Sequence, residues 1–243
     1  MLITAAAGVG IGFAAARRAI EEGCRAVMIS DIHERRLAEA VDKLKALSNK
    51  VEIHAQICNV ANQAHVQALI DAAEAKLGGV DILINNAGLG GLKPVVDMSD
   101  EEWSQVIDVT LTGTFRMTRA ALKGMYARKR GVIVNNASVL GWRAQAGQAH
   151  YAAAKAGVMA LTRCSALEAA PYGVRINAVS PSIAMHEFLK RSAPQDFLDS
   201  LAHREAFGRA AEVWEVANVM MFLASDYASY MVGETVSVSS QHA

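Results

Sequence analysis

Short apolar runs rich in β-branched residues alternate along this chain with longer segments in which apolar positions recur every three or four residues. The runs predict strands over residues 2–6, 26–30, 51–58, 82–85, 131–137, 174–179 and 235–239. The longer segments predict helices over 35–47, 63–77, 100–128, 149–170 and 212–224. Val132-Ile133-Val134 lacks polar alternation, as expected of a strand buried on both faces. Strands alternating with helices imply a parallel sheet covered on both sides, an α/β three-layer architecture. No linker, repeat or low-complexity tract interrupts residues 1–243, so one domain is expected. Met1 sits almost inside the first predicted strand: either that strand is short or the natural chain starts further upstream.

Composition narrows the class. Apolar residues make up 52% of 243, enough for a large core without disulfides. The 24 basic and 24 acidic side chains cancel, which argues against a nucleic-acid partner. Cys24, Cys58 and Cys164 read as small buried residues in a reducing compartment, here the cytoplasm. Neither they nor the seven histidines show metal-ligand spacing, so no metal and no metal-dependent alcohol dehydrogenase is expected. The uncharged stretch 1–16 is followed by Arg17 and Arg18, the reverse of a signal peptide's charge order. No uncharged run is long enough to span a membrane.

Ala6-Ala7-Gly8-Val9-Gly10-Ile11-Gly12 follows the first strand and opens a helix. Glycines in such a turn let the backbone approach a pyrophosphate, and free N–H groups at the helix start bind the anion. A glycine-rich turn alone is as often an ordinary loop. Asp31 ends the second strand nineteen positions after Gly12 (31 − 12), near the spacing at which a carboxylate meets an adenosine ribose. A carboxylate repels a 2′-phosphate, and position 9 is Val, not a basic residue. Both favour NAD over NADP, although His33, Arg35 and Arg36 could tolerate a phosphate. The plainer reading of Asp31 is a charge at a helix start.

Tyr151-x-x-x-Lys155 places a phenol and an ammonium one turn apart on one helix face. A free phenol titrates near ~10 and is a poor proton donor or acceptor at neutral pH, but a nearby cation favours the phenolate. The spacing alone is common by chance. Ser138, ending a buried strand thirteen positions earlier (151 − 138), adds a hydroxyl that can hold a substrate oxygen beside the phenol.

The glycine-rich turn, Asp31, Asn85-Asn86-Ala87-Gly88, Ser138, Tyr151-x-x-x-Lys155 and Arg175-Ile176-Asn177-Ala178-Val179-Ser180-Pro181 follow one another in the order of the short-chain dehydrogenase/reductase family, which the chain resembles end to end. The resemblance implies a Rossmann fold: a doubly wound, seven-stranded parallel sheet with helices on both faces. It implies that Tyr151 is the acid–base, Lys155 lowers its pKa and holds the nicotinamide ribose, and Ser138 fixes the substrate oxygen. Gly8, Gly10, Ile11 and Gly12 would meet the pyrophosphate, and Asp31 the adenosine ribose. Asn59 and Val60 would lie beside the adenine, Asn86, Ala87 and Gly88 along the ribose side, and Pro181, Ser182 and Ile183 at the nicotinamide. Helices from Asp100 and Ala149 would pack into a homotetramer.

The departures from the family pattern also carry information. Ala6 stands at the turn's first glycine and Asn59 where Asp is usual. Thr110 replaces the Asn of a catalytic tetrad, where its carbonyl and hydroxyl could order a relay water. His186 stands where a Thr commonly binds the carboxamide, and Val238-Ser239-Ser240 replaces a common Val-Asp-Gly ending.

The segment from about 183 to 205 is expected to form the lid that sets substrate choice, with His186, Phe188, Leu189, Phe197, Leu198 and Leu201 at helical spacing. The alternative is an amphipathic helix packed on its own core. Arg143, Lys190 and Arg191 could meet an anionic carrier such as coenzyme A.

The run 135–145, Ser180-Pro181-Ser182-Ile183-Ala184 and Ser239-Ser240-Gln241 resemble actinobacterial reductases of steroid-ring catabolism. Those act on hydroxy- or oxo-hexahydroindane carboxyl-CoA thioesters derived from cholesterol's C and D rings. That resemblance implies a small-molecule CoA-thioester substrate. The competing readings are a 3-oxoacyl-thioester reductase of the fatty-acid type and a nucleotide-binding sensor or scaffold without turnover.

Overall fold

A computed structural model describes residues 1–192 and 194–240, with the side chains at 188, 191 and 192 left out of the description. Strands β1 (Leu2–Ile3), β2 (Ala26–Asp31), β3 (Glu52–Ile57), β4 (Ile82–Asn85), β5 (Gly131–Asn136) and β6 (Val174–Pro181) are joined by a C-terminal strand, Thr235–Val238. Two short strands, β7 (Ala184–Met185) and β8 (Ala211–Glu212), precede that last one, which is therefore β9. The main sheet is all parallel, in the order β3-β2-β1-β4-β5-β6-β9. The order reverses direction between β1 and β4, and a crevice opens at their carboxyl ends, where doubly wound sheets bind ligands.

Successive residues of each central strand enter different cores. Ile3, Ile29, Ile84 and Val134 pack with helices α1 (Ile11–Glu21), α2 (Glu34–Lys45) and α9 (Val213–Ala224). Their neighbours Leu2, Met28, Leu83 and Ile133 pack on the opposite face against α3 (Gln63–Leu77), α5 (Gly113–Arg128) and α6 (Ala149–Ala169). Both faces are apolar, so the strands carry no alternation. The remaining helices are α4 (Asp100–Ile107), α7 (Glu187–Ser192) and α8 (Gln195–Arg204).

Three expectations are corrected. The first strand stops at Ile3 rather than residue 6, because Ala5 takes a left-handed φ of +50° that turns the chain into the glycine-rich loop. The helix expected over 100–128 is split by a π-helical turn, Asp108–Thr112, in which buried Thr110 turns its hydroxyl to the Leu89 backbone while its carbonyl accepts from the Thr114 hydroxyl. Of the cysteines only Cys58 is buried; Cys24 is half-buried and Cys164 exposed.

The β7–β8 pair was not foreseen. It closes the base of the excursion 186–210 by joining its two ends.

Candidate active site

The glycine-rich turn leaves β1 through Ala5 and enters α1 at Gly10. No side chain caps α1, and its first turn has no acidic residue. The N–H groups of its first turn therefore lack intrahelical partners and are available to an anion. A Cβ at Gly8 or Gly10 would meet nothing within 4 Å, whereas one at Gly12 would come within 2.5 Å of the Ala5 carbonyl oxygen and 2.6 Å of Asn86 Nδ2. Gly8 and Gly10 thus leave space above the turn, and Gly12 lets α1 sit against the sheet. Asp31 closes this region from the end of β2. Its carboxylate accepts from the Ala7 N–H (3.2 Å) and the His33 N–H (3.1 Å), and burial raises its pKa against the Ala7 hydrogen bond and the charge of Arg36. Free amides beside a half-buried carboxylate fit the pyrophosphate and ribose of a dinucleotide.

The floor of the crevice is a relay of amides across the switch point. Asn86 donates from Nδ2 to the Ala5 carbonyl (3.0 Å), and its Oδ1 accepts from Asn136 Nδ2 (2.9 Å). The Ala5 carbonyl can only accept, so it fixes the orientation of both amides. Thr4 Oγ1 accepts from the N–H groups of Asn86 and Ala87, each at 3.0 Å. On the other face, Asn85 donates to Asn135 Oδ1 (2.9 Å) and Asn135 to Thr162 Oγ1 (2.8 Å), which ties β4 and β5 to α6. The roles of Thr4, Asn135 and Asn136 were not read from the sequence. The available signal was two adjacent asparagines at the end of an apolar strand.

The catalytic candidates converge here. Ser138 leaves β5 in an extended conformation, and its hydroxyl hydrogen-bonds the Tyr151 side chain while accepting from Leu140 N–H (3.2 Å). Lys155 is buried, donates to the Asn136 carbonyl (2.6 Å) and lies 5.5 Å from the centre of the Tyr151 ring. Burial disfavours both charged forms: it pushes the Tyr151 phenol up to about 12, opposed by Ser138, and the Lys155 ammonium down to about 8. The phenol thus lies above its ordinary value, where a lowering beside the lysine was expected, because desolvation is the largest cause of its shift.

Thr110 lies next to this group. Its hydroxyl donates to the Leu89 carbonyl and accepts from the Leu89 N–H, both at 2.9 Å. Its carbonyl accepts from Thr114 Oγ1 (2.8 Å). Thr110 thereby pins the loop that follows β4. A Cβ at Gly88 would lie 3.3 Å from Lys155 Nζ, and one at Gly90 3.4 Å from the Tyr151 ring.

Asn59 is exposed and turns its Oδ1 onto Ala61 N–H (3.0 Å). Val60 is buried, with Cγ2 2.7 Å from the Cβ position of Gly113. Pro181 ends β6 opposite Val238, Ser182 N–H donates to the Val238 carbonyl, and the Ile183 carbonyl accepts from Ala211 N–H. His186 is half-buried, its Nδ1 accepts from Leu189 N–H (3.3 Å), and burial lowers its pKa. Arg143 is half-buried in the turn after Ser138. Lys190 pairs with Glu187 at 3.0 Å. The Phe188 and Arg191 side chains and Gln241 lie outside the described residues.

A family model described as enoyl-(acyl carrier protein) reductase matches residues 5–240. Over its whole length the chain is 63% identical to (5R,7aS)-5-hydroxy-7a-methyl-1-oxo-2,3,5,6,7,7a-hexahydro-1H-indene-carboxyl-CoA reductase of Mycobacterium tuberculosis, covering 92% of it. It is 40% identical to a 3-oxoacyl-(acyl-carrier-protein) reductase of Vibrio cholerae, with 74% of each chain covered. Among solved structures, a short-chain dehydrogenase from Mycobacterium smegmatis superposes with a TM-score of 0.88 at 58% identity, covering 100% of this chain and 92% of that one. NAD+-bound xylitol dehydrogenase gives 0.92 at 29% identity, covering 98% and 96%. An actinorhodin polyketide ketoreductase variant with NADPH gives 0.91 at 31%, covering 98% and 95%. With the seven-stranded parallel sheet and the uncapped, open glycine-rich turn, these matches show that the chain belongs to the short-chain dehydrogenase/reductase family of oxidoreductases.

Proposed function

We propose that this enzyme interconverts a secondary alcohol and a ketone on a bicyclic indane carboxyl-CoA thioester, using NAD, in steroid-ring catabolism. The observation that carries the chemistry is the Ser138–Tyr151 hydrogen bond beside the buried Lys155, at the mouth of the uncapped turn. The 63% identity to the indane-carboxyl-CoA reductase, over 100% of this chain, supports the substrate.

A nicotinamide dinucleotide, when bound, supplies or takes up the hydride. Gly8, Gly10, Ile11 and Gly12 would hold its pyrophosphate and Asp31 its adenosine ribose. Asn59 and Val60 would flank the adenine, Asn86, Ala87 and Gly88 the adjoining wall, and Pro181, Ser182 and Ile183 the nicotinamide end. In reduction, Ser138 Oγ donates to the substrate oxygen and Tyr151 Oη delivers the proton to it. Lys155, charged below pH 8, offsets the phenolate left at Tyr151. Oxidation runs the same proton in reverse. Thr110 acts by holding Leu89, and so the wall beside Lys155 and Tyr151. Arg143 and His186 stand at the substrate end.

Asp31 supports NAD, because a half-buried carboxylate with no lysine or arginine at position 9 disfavours a 2′-phosphate. The whole chain 1–243 acts as one Rossmann domain with a lid near 183–205. Trp103, Phe115 and Leu167 are exposed on α4, α5 and α6, the helices that a homotetramer would bury. Among the described residues no helix is long and apolar enough to cross a membrane, which is compatible with a cytoplasmic enzyme.

The second reading is a 3-oxoacyl-thioester reductase of the fatty-acid type, favoured by the 40% identity to such an enzyme. One experiment separates the two: kcat/KM, in both directions and with both NAD(H) and NADP(H), for the indane carboxyl-CoA thioester, its free acid, and 3-hydroxybutyryl and acetoacetyl thioesters. We expect the indane thioester with NAD to lead by tenfold or more. Equal turnover of the free acid removes the role of the carrier. Preference for acetoacetyl thioesters with NADPH selects the second reading, and cofactor binding without any turnover a sensor.

A further inference from the structure

Main-chain pairing of β4 with β5 runs from Ile82 and Val132 to Asn85 and Asn135, and stops there. β5 itself continues to Asn136, which is still paired with Val179 on its β6 side. On the β4 side the next two residues, Asn86 and Asn136, are joined by side chains instead: Asn136 Nδ2 donates to Asn86 Oδ1 at 2.9 Å. A side-chain bridge thus takes over from the ladder one residue beyond its last rung.

The Lys155 ammonium reaches into this junction. On one side it donates to the Asn136 main-chain carbonyl at 2.6 Å, and on the other a Cβ at Gly88 would come within 3.3 Å of it. Gly88 belongs to the segment that Asn86 begins, held by Thr4 Oγ1 at the Asn86 and Ala87 N–H groups and by Thr110 Oγ1 at Leu89. The two walls about the ammonium are therefore the two stretches of chain that the Asn136–Asn86 bridge ties together. The bridge has a cost, because Asn136 Oδ1 is buried and has no partner among the described residues. A half-satisfied amide gains little stability over an apolar side chain of the same shape, so what it supplies is geometry.

We propose that Asn136 is a positioning residue for the reaction: its side-chain bridge to Asn86 sets the width of the slot in which its own carbonyl seats the Lys155 ammonium. A seated ammonium keeps its place 5.5 Å from the centre of the Tyr151 ring, and so offsets a phenolate there without first reorganising. With the bridge gone, the end of β5 is held from the β6 side alone, and the Asn136 carbonyl and Gly88 can part. The nucleotide half of the crevice is spared, because Asn86 keeps its own bond to the Ala5 carbonyl at 3.0 Å. The proposal rests on Lys155 serving the reaction, as read above, and is indifferent to which alcohol or ketone is the substrate.

The test follows the Lys155 ammonium by its 15Nζ signal in lysine-labelled enzyme, below pH 8, where the group is charged. Burial and a hydrogen bond slow exchange of its protons with water, and loss of the signal in Lys155→Met assigns it. In Asn136→Leu, which keeps the shape and drops the amide, exchange should quicken about tenfold, the scale of one lost hydrogen bond. For any alcohol the enzyme oxidises, kcat should fall by a similar factor, with KM within about twofold of wild type. ADP affinity should hold, and Tm should stay within about 3 °C. Asn136→Gln, which restores a donor, should recover part of both the slow exchange and kcat. Asn136→Ala takes the place of the leucine variant if that one misfolds. An ammonium that exchanges freely in the wild type, or exchange unchanged in the variants, overturns the positioning role whatever kcat does. A kcat loss matched by lost ADP affinity and a much lower Tm makes the bridge merely structural and overturns it as well. Quicker exchange with kcat intact also overturns it, unless Lys155→Met is equally active; then the catalytic reading of Lys155 falls and the seat stands.

Discussion

On the nucleotide side of the crevice, Ala5, Gly12, Asn86 and Asn136 interlock through contacts that leave no slack. The Ala5 carbonyl accepts from Asn86, a Cβ at Gly12 would strike both partners, and the far end of the amide relay carries Lys155. On the lid side, residues 186–210 are joined at their base by two residue pairs of β7 and β8. Within that span α8 buries only Leu198. A second tie holds this excursion from the C-terminal side: buried Glu205 accepts from the N–H and hydroxyl of Ser240, at 3.1 and 3.0 Å. One side is fixed by an interlocked set of amides and a carbonyl, the other by one short strand pair and a single buried carboxylate. The first suits a ligand common to a whole family, the second a substrate that differs among its members.

The sharpest test of that contrast is to remove chemistry without removing binding. Tyr151→Phe should lower kcat by about 10³-fold, the scale of a lost general acid–base, with dinucleotide affinity near wild type. Fluorescence titration beside steady-state kinetics reads both quantities, and a parallel loss of affinity would place Tyr151 in the rigid half alone.

Lys155 gives the next largest effect, on stability. Unfolded, its ammonium ionises near its ordinary value of 10.5; folded, at about 8. Between those values the folded protein has shed a proton that the unfolded chain keeps, so stability rises with pH across the window. The burial penalty is present in full below pH 8. Integrated, this reaches about 3 kcal/mol at most, from roughly 1.4 kcal/mol per pKa unit. Denaturant melts of Lys155→Met should be flatter than wild type from pH 8 to 10. Tyr151, raised from 10 to about 12, acts in the opposite sense above pH 10.

Gly12→Ala tests the rigid half by crowding. Its Cβ meets the Ala5 backbone and the Asn86 amide, so a loss of about 2 kcal/mol in stability and weaker dinucleotide binding are expected. Glu205→Ala tests the lid, with the smallest effect. Losing the two Ser240 hydrogen bonds should cost about 1–2 kcal/mol and raise KM several-fold, while dinucleotide affinity holds. Equal damage to dinucleotide binding by both variants would erase the distinction between the halves.

Much of the sheet was legible along the chain. The strand over Ile82–Asn85 and the helix over Gln63–Leu77 fall where periodicity put them, because burial on one or two faces is written into local spacing. The first strand and the helix through Thr110 were misread for a shared reason. Ala5 and Thr110 answer to partners far away in sequence, Asn86 and Leu89, and no local propensity encodes those demands. Ser138, Tyr151 and Lys155 were readable as a set from their spacing, but the direction of the Tyr151 shift was not. Desolvation depends on what surrounds a group in three dimensions.

By itself, the sequence determined the alternation of strands and helices, the family and the identity of the groups that meet at the crevice. The first and last follow from residue type and spacing, and the family from the resemblance of its ordered motifs, all of them properties of the chain. Only the tertiary structure decided the amide relay from Ala5 to Asn136, the pinning of Leu89 by Thr110 and the tie from Glu205 to Ser240. Each depends on atoms brought within hydrogen-bonding or van der Waals distance across many residues of chain, and distance in space is what a linear pattern does not contain.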